Sequence, residues 1–142
     1  MKDGHYFDKN GHKVWVQNGV LHRLDGPAKI WKNGSHGWYQ NGVIHREDGP
    51  AHISPGSRKA WIQNGLYHRL DGPAIIYKTG SGTYEQWFKN GELHRIDGPA
   101  VVGDDRTPEY YLNGIKYNKI KNDVQWLIEI QKIRRQERQE GD

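Results

Sequence analysis

One phrase, Trp-x-x-Asn-Gly-x-x-His-Arg-x-Asp-Gly-Pro-Ala, constrains this chain more than any other feature. It runs from Trp15 to Ala28 and returns from Trp38, from Trp61 and from Trp87. Counted between Asn-Gly pairs at Asn18, Asn41, Asn64, Asn90 and an incomplete fifth at Asn113, the intervals are 23, 23, 26 and 23 residues. Self-similarity at such a period means a repeat architecture, in which each unit packs on its neighbours. It also sets the weight of every candidate site: a histidine that returns with the unit is a weaker catalytic candidate than one that occurs once.

Each copy reads as a β-hairpin, with a strand from Lys13 to Gln17, a turn at Asn18-Gly19 and a return strand from Val20 to Leu24. Asn-Gly between β-rich segments fits a type I′ turn, because both central residues need positive φ. A two-residue loop then fixes the register: Gln17 opposite Val20, Val16 opposite Leu21, Trp15 opposite His22 and Val14 opposite Arg23. Alternation places Trp15, Trp38, Trp61 and Trp87 on one face with His22, His45, His68 and His94. The opposite face carries Val16 with Leu21, Tyr39 with Ile44, Ile62 with Tyr67 and Phe88 with Leu93, and is the expected core seam. Arg23, Arg46, Arg69 and Arg95 are expected at the far margin of that apolar side, stems on hydrocarbon and heads in water.

Asp-Gly-Pro-Ala, at Asp25, Asp48, Asp71 and Asp97, is a bend or bulge, since proline lacks the ladder N–H and biases the residue before it to extended geometry. β character resumes from Ala28, Ala51, Ala74 and Ala100, and Gly-, Ser- and Pro-rich connectors lead to the next Trp strand. A lead-in strand from Tyr6 to Lys9 is expected to cover the open end. The fifth copy, Tyr110 to Tyr117, keeps the hairpin and loses His-Arg-x-Asp-Gly-Pro. Beyond it Val124, Trp126, Leu127, Ile130 and Ile133 fall at helical spacing with Asp123 as N-cap, and Arg134 to Glu140 form a solvated last turn or frayed tail. The expectation is a mainly β, elongated single-layer antiparallel meander of hairpin repeats over residues 1–121, and a capping helix with a charged tail over 122–142.

Composition agrees with a thin array. Hydrophobic residues make up 34% of the 142 and mean hydropathy is -1.01, too little apolar material for a thick closed core. Large rings, six Trp and eight Tyr, supply apolar area instead. The chain has no Cys, so disulfides and thiolate metal sites are excluded, and this fits a reducing compartment. The start carries no continuous apolar run, and no stretch reads as a membrane span. The net charge of +4 is too small to argue for nucleic acid by itself.

Carried from Lys13 to Tyr117 and followed by a short helix, this tandem phrase resembles a largely uncharacterised group of repeat proteins of tailed bacteriophages. More distantly it is similar to MORN-type repeats, which form a single-layer antiparallel meander. The likeness is inexact there, because His-Arg-x-Asp-Gly-Pro replaces the shorter His-Gly-x-Gly segment of those repeats. The phage resemblance implies a viral or prophage origin, the cytoplasm of a bacterial host as the place of action, and no known enzyme activity.

Chemistry is disfavoured by spacing. With two strands per unit, equivalent residues recur every ~10 Å, whereas nitrogens sharing one tetrahedral zinc stand only ~3.4 Å apart. No Ser-His-Asp order, phosphate-cradling glycine loop or His-Glu-x-x-His string appears. No catalytic residue, metal or cofactor is therefore assigned. For the histidines the plain reading is an imidazole lying against its cross-strand Trp and bonded to the Asp-Gly-Pro turn. The sharper one is a binding platform made of the four Trp, the four His and the Arg row. The arginines divide evenly between a bridge to the Asp two residues on and a role toward anions. The function expected is a non-catalytic binding protein that inhibits or sequesters a bacterial component, such as a defence effector or its signal. Alternatives are nucleic-acid or nucleotide binding, an antitoxin or immunity partner, and a structural role in a virion. A homodimer through the C-terminal helix is a further expectation.

Overall fold

A computed structural model describes residues 1–118 and 123–141. The chain is mainly β, built of short antiparallel strands in hairpin units with one C-terminal helix. The expected boundary between residues 121 and 122 lies outside the described residues. A ten-stranded sheet runs in order through Gly4–Phe7, Lys13–Gln17, Lys29–Ile30, His36–Gly37, His52–Ile53, Lys59–Ala60, Ile75–Lys78, Thr83–Gln86 and Val101–Val102, with Val20–Leu21 paired to Lys13–Gln17 off that path. Four separate hairpins carry the later Asn-Gly turns: Tyr39–Gln40 with Val43–Ile44, Ile62–Gln63 with Leu66–Tyr67, Phe88–Lys89 with Glu92–Leu93, and Tyr110–Leu112 with Ile115–Tyr117.

The Trp-bearing strand therefore divides at its Trp. In the second copy the half before Trp38 belongs to the large sheet and the half after it to the hairpin. The hairpins in turn form their own hydrogen-bonded row. Arg23 N–H donates to Tyr39 O and Gly42 N–H to Leu21 O, and the same two bonds recur at the next three junctions. All five turns have the expected geometry: φ is 48–52° at the Asn and 76–82° at the Gly.

One expected pairing is corrected. Val14 faces Lys29, not Arg23, because the backbone leaves its own hairpin after His22 and turns to the following one. The predicted hairpin pairs themselves are present, Val16 with Leu21 and Gln17 with Val20 among them. The apolar seam is only part of the core. Ala28, Ala51, Ala74 and Ala100 are each 0% exposed, and each carbonyl accepts the N–H of the Trp at the head of its own unit. A side chain larger than methyl would have no room at that closure.

The two ends are closed differently. At the start the lead-in strand is Gly4–Phe7, slightly earlier than expected, and the Asp3 carboxylate accepts the Gly19 N–H at 2.8 Å. It stands in for the carbonyl that a preceding copy would offer. At the other end helix α1, Asp123–Glu140, buries Trp126, Ile130 and Ile133 against Leu112, with Ile96, Tyr110 and Tyr117 around them. The helix runs on through the charged segment to Glu140. Val124 and Leu127, expected in one stripe with Trp126, are 72% and 52% exposed and lie on the other side of the helix.

Candidate functional site

The residues of the His-Arg-x-Asp-Gly-Pro segment form one staple, made four times. Arg46 folds back over the indole at the head of its own unit, with its guanidinium carbon 4.0 Å from the Trp38 ring centroid. The distances are 4.0 Å for Arg23 on Trp15 and 3.9 Å for both Arg69 on Trp61 and Arg95 on Trp87. Nε of each arginine donates to the Asp two residues on, at 2.9–3.1 Å. Nη1 donates to the proline carbonyl four residues on, at 3.0–3.1 Å.

The glycine completes the arrangement. A Cβ on Gly26, Gly49, Gly72 or Gly98 would lie 2.7–3.0 Å from the guanidinium carbon, so only glycine lets the planar cation lie flat between indole and backbone. The hydrogen bond and charge of Arg23 hold the Asp25 carboxyl below the usual carboxylate range. The Asp side chains stay 76–89% exposed, so these pairs orient the arginines more than they stabilise the fold.

The histidine expectation is corrected. Nδ1 of His22, His45, His68 and His94 accepts the backbone N–H of Asn41, Asn64, Asn90 and Asn113, at 2.8–3.0 Å, and does not bond the Asp-Gly-Pro turn. The turn geometry explains it. That Asn N–H points out of the hairpin and needs an acceptor from the neighbouring unit. Accepting at Nδ1 requires a neutral ring with its proton on Nε2. Burial pushes His68 and His94 below the ordinary histidine value, and the charge of Lys89 adds to the effect.

Trp15, Trp38, Trp61, Trp87, the four histidines and the four arginines are thus half-buried and engaged with one another and with the next copy. Among the described residues, no three His, Asp or Glu approach closely enough to hold one metal ion. No described helix is long and apolar enough to cross a membrane.

Within His-Arg-x-Asp-Gly-Pro one position varies between copies, as Leu24, Glu47, Leu70 and Ile96, and in the first three copies it faces outward. Leu24 and Leu70 are each 76% exposed, whereas Ile96 packs against α1. Beside Leu24 lies an open groove of about 630 Å³ between the first two loops, lined by Trp38, Gln40 and His45, by Glu47, and by Arg23 and Arg46 with the aspartates they bond, Asp25 and Asp48. Its counterparts at the last junction are Ile96, Tyr110, Leu112 and Tyr117, the residues on which α1 is seated. Reading the sequence for chemistry passed over this position. The signal was its variation within the otherwise constant His-Arg-x-Asp-Gly-Pro segment. Comparison of the chain with family models, curated proteins and solved structures returned no significant match.

Proposed function

We propose that this chain is a non-catalytic binding protein that recognises a protein of a bacterial host through the loop-bearing face of its repeat array, inhibiting or sequestering it in the host cytoplasm. The observation that carries the reading is the division of labour within the motif. The constant Trp, His, Arg, Asp and Gly are tied into the array, while the varying residue between Arg and Asp projects into solvent as Leu24, Glu47 or Leu70. Repeat scaffolds recognise partners in this manner, with a constant frame and variable outward positions. The bacterial host and the inhibitory role come from the phage resemblance. A protein partner is favoured over nucleic acid because a guanidinium already covers each repeat Trp and is itself bonded to carboxylate and carbonyl. Stacking of bases and tracking of phosphates need both groups free.

The test is affinity capture from bacterial lysate with the wild-type chain beside Leu70→Arg, the two matched by circular dichroism. A protein retained by the wild type and released by the variant supports the reading. Retention of nothing, or retention that ignores Leu70, overturns it.

A further inference from the structure

We infer that Asn18 is a site of spontaneous covalent modification, at which the side-chain amide is lost to give aspartate or isoaspartate, and that the array guards its other Asn-Gly pairs against the same reaction. This goes beyond the reading of the loop face and does not rest on it.

The reaction belongs to the dipeptide. In Asn-Gly the glycine nitrogen gives its proton to hydroxide and attacks Cγ of the Asn side chain, unhindered because glycine carries no Cβ. A C–N bond forms to that carbon. The side-chain nitrogen takes a proton from water and leaves as ammonia, which restores the hydroxide and leaves a five-membered succinimide. One water then opens the ring at either carbonyl, giving aspartate or, with the backbone rerouted through the side chain, isoaspartate. Water enters and ammonia leaves; nothing is oxidised or reduced.

The attack needs a glycine N–H free of its acceptor and an Asn rotated out of the turn, so whatever holds that N–H governs the rate through local opening. The chain has seven Asn-Gly pairs. In six of them the glycine N–H donates to a backbone carbonyl at 2.8–3.0 Å: that of its own turn for Gly11 and Gly34, and that of the preceding hairpin for Gly42, Gly65, Gly91 and Gly114. Gly19 is the exception. Its acceptor is the exposed Asp3 carboxylate, at 2.8 Å. A carboxylate swings away by rotation about its own side-chain bonds, whereas a backbone carbonyl leaves only with its strand or turn.

A second bond separates the copies in the same direction. The N–H groups of Asn41, Asn64, Asn90 and Asn113 are held by a histidine Nδ1 of the preceding copy, and no copy precedes Asn18 to supply one. Turn shape and solvent access do not distinguish the five hairpin turns. Each has its Asn at φ 48–52°, and all five Asn are exposed.

The product bears on the first copy. A carboxylate at position 18 stands beside that of Asp3 and repels it, and isoaspartate adds a backbone atom to a two-residue turn whose register leaves no place for one. The tie from Asp3 to Gly19 fastens the segment that leads into the strand Gly4–Phe7, so the change loosens the array at its first hairpin. It goes no further, because the Gly42 N–H is held by the Leu21 carbonyl.

The test is incubation of the folded chain in mildly alkaline buffer, followed by peptide mapping with mass spectrometry and chromatographic separation of isoaspartate. Asn18 is expected to convert about fivefold faster than any other Asn, the factor that one hydrogen bond gives to an opening equilibrium. In concentrated urea the hairpin Asn residues should convert alike. Asp3→Ala, an exposed substitution expected to leave circular dichroism unchanged, should hasten loss at Asn18 and leave Asn41 as it was. Equal rates in the folded chain overturn the proposal, as does a different Asn converting first. So does a lead of Asn18 that persists in urea, or an Asp3→Ala chain in which Asn18 converts no faster than in the wild type.

Discussion

In the first four copies the indole at the head of the unit is covered by an arginine of that same unit, whereas in the fifth Tyr110 stands in the Trp place and is met edge-on by Trp126 of α1. Both solutions cover an aromatic ring that would otherwise face water at a junction. They differ in what happens next. In the first three copies the arginine leaves the loop in place and its outer residue exposed, so a partner can dock. The helix seals the groove, and the array ends. The difference teaches that the Arg-x-Asp-Gly-Pro segment covers the ring of its own copy, and that the fifth copy, which lacks the segment, has α1 for the same task.

The comparison breaks most visibly at the terminal copy. Trp126 is 3% exposed and touches both Tyr110, at 5.5 Å between centroids, and Tyr117, at 5.7 Å. Trp126→Ala should lower the unfolding free energy by about 3–5 kcal/mol, measured by urea titration. The helix signal in circular dichroism should be lost before the β signal, because the cap contacts only its nearest hairpins. Simultaneous loss of both would mean that the cap and the inner copies are one cooperative unit.

Next in size is the staple of an inner copy. Arg69→Lys keeps the charge and loses the planar fork on Trp61 together with the bond to the Pro73 carbonyl. A loss of about 1–2 kcal/mol is expected. Gly72→Ala should cost a similar amount, since its Cβ would fall 2.8 Å from the same guanidinium. The double variant should cost little more than either single one, because both act on one interaction. Additive losses would separate the glycine from the stack.

Acid acts on the junctions between copies, the last one included. Nδ1 of His68 and His94 accepts from Asn90 and Asn113, and burial depresses both imidazoles. A folded-state value below the unfolded one means that the unfolded chain binds more protons in that window, so stability is complete above the ordinary histidine range and falls as pH drops through it. Each lost junction bond is worth about 1 kcal/mol, and urea midpoints between pH 8 and pH 5 should shift accordingly. His68→Asn offers an amide oxygen where Nδ1 stood and does not titrate, so it should flatten part of that slope. An unchanged slope would remove His68 from the acid response.

How far the sequence announced all this follows the same division. The Asn-Gly turns, the hairpin pairs around them and the helix were legible because each depends on local chemistry: positive φ at two adjacent residues, two-residue alternation and helical periodicity. The path after His22 was not, because it is decided by a bond to the following unit, Arg23 N–H to Tyr39 O, that no single copy contains. For the same reason His22 was expected to bond within its own unit, and its Nδ1 instead serves Asn41. The arginines show the intermediate case. The bridge to Asp was one of two open options on spacing alone, while the stack on Trp needs the chain to fold back over itself. Ala28 and its equivalents carried no visible signal, since a small residue after proline reads as ordinary until the closure it permits is seen.

The smallest effect separates two residues that share a place in the motif. Leu70 and Ile96 both follow the staple arginine, yet Leu70 is 76% exposed and Ile96 lies against α1. Leu70→Arg should change the unfolding free energy by no more than about 0.5 kcal/mol, as befits a surface substitution away from any packed feature. Ile96→Arg places a charge under the helix and should cost several times as much. The pair tests whether the open grooves are structurally idle in the free chain. If Leu70→Arg destabilised as much as Ile96→Arg, the loop face would be part of the core of the array, and the residue that varies from copy to copy would owe its identity to packing and not to recognition.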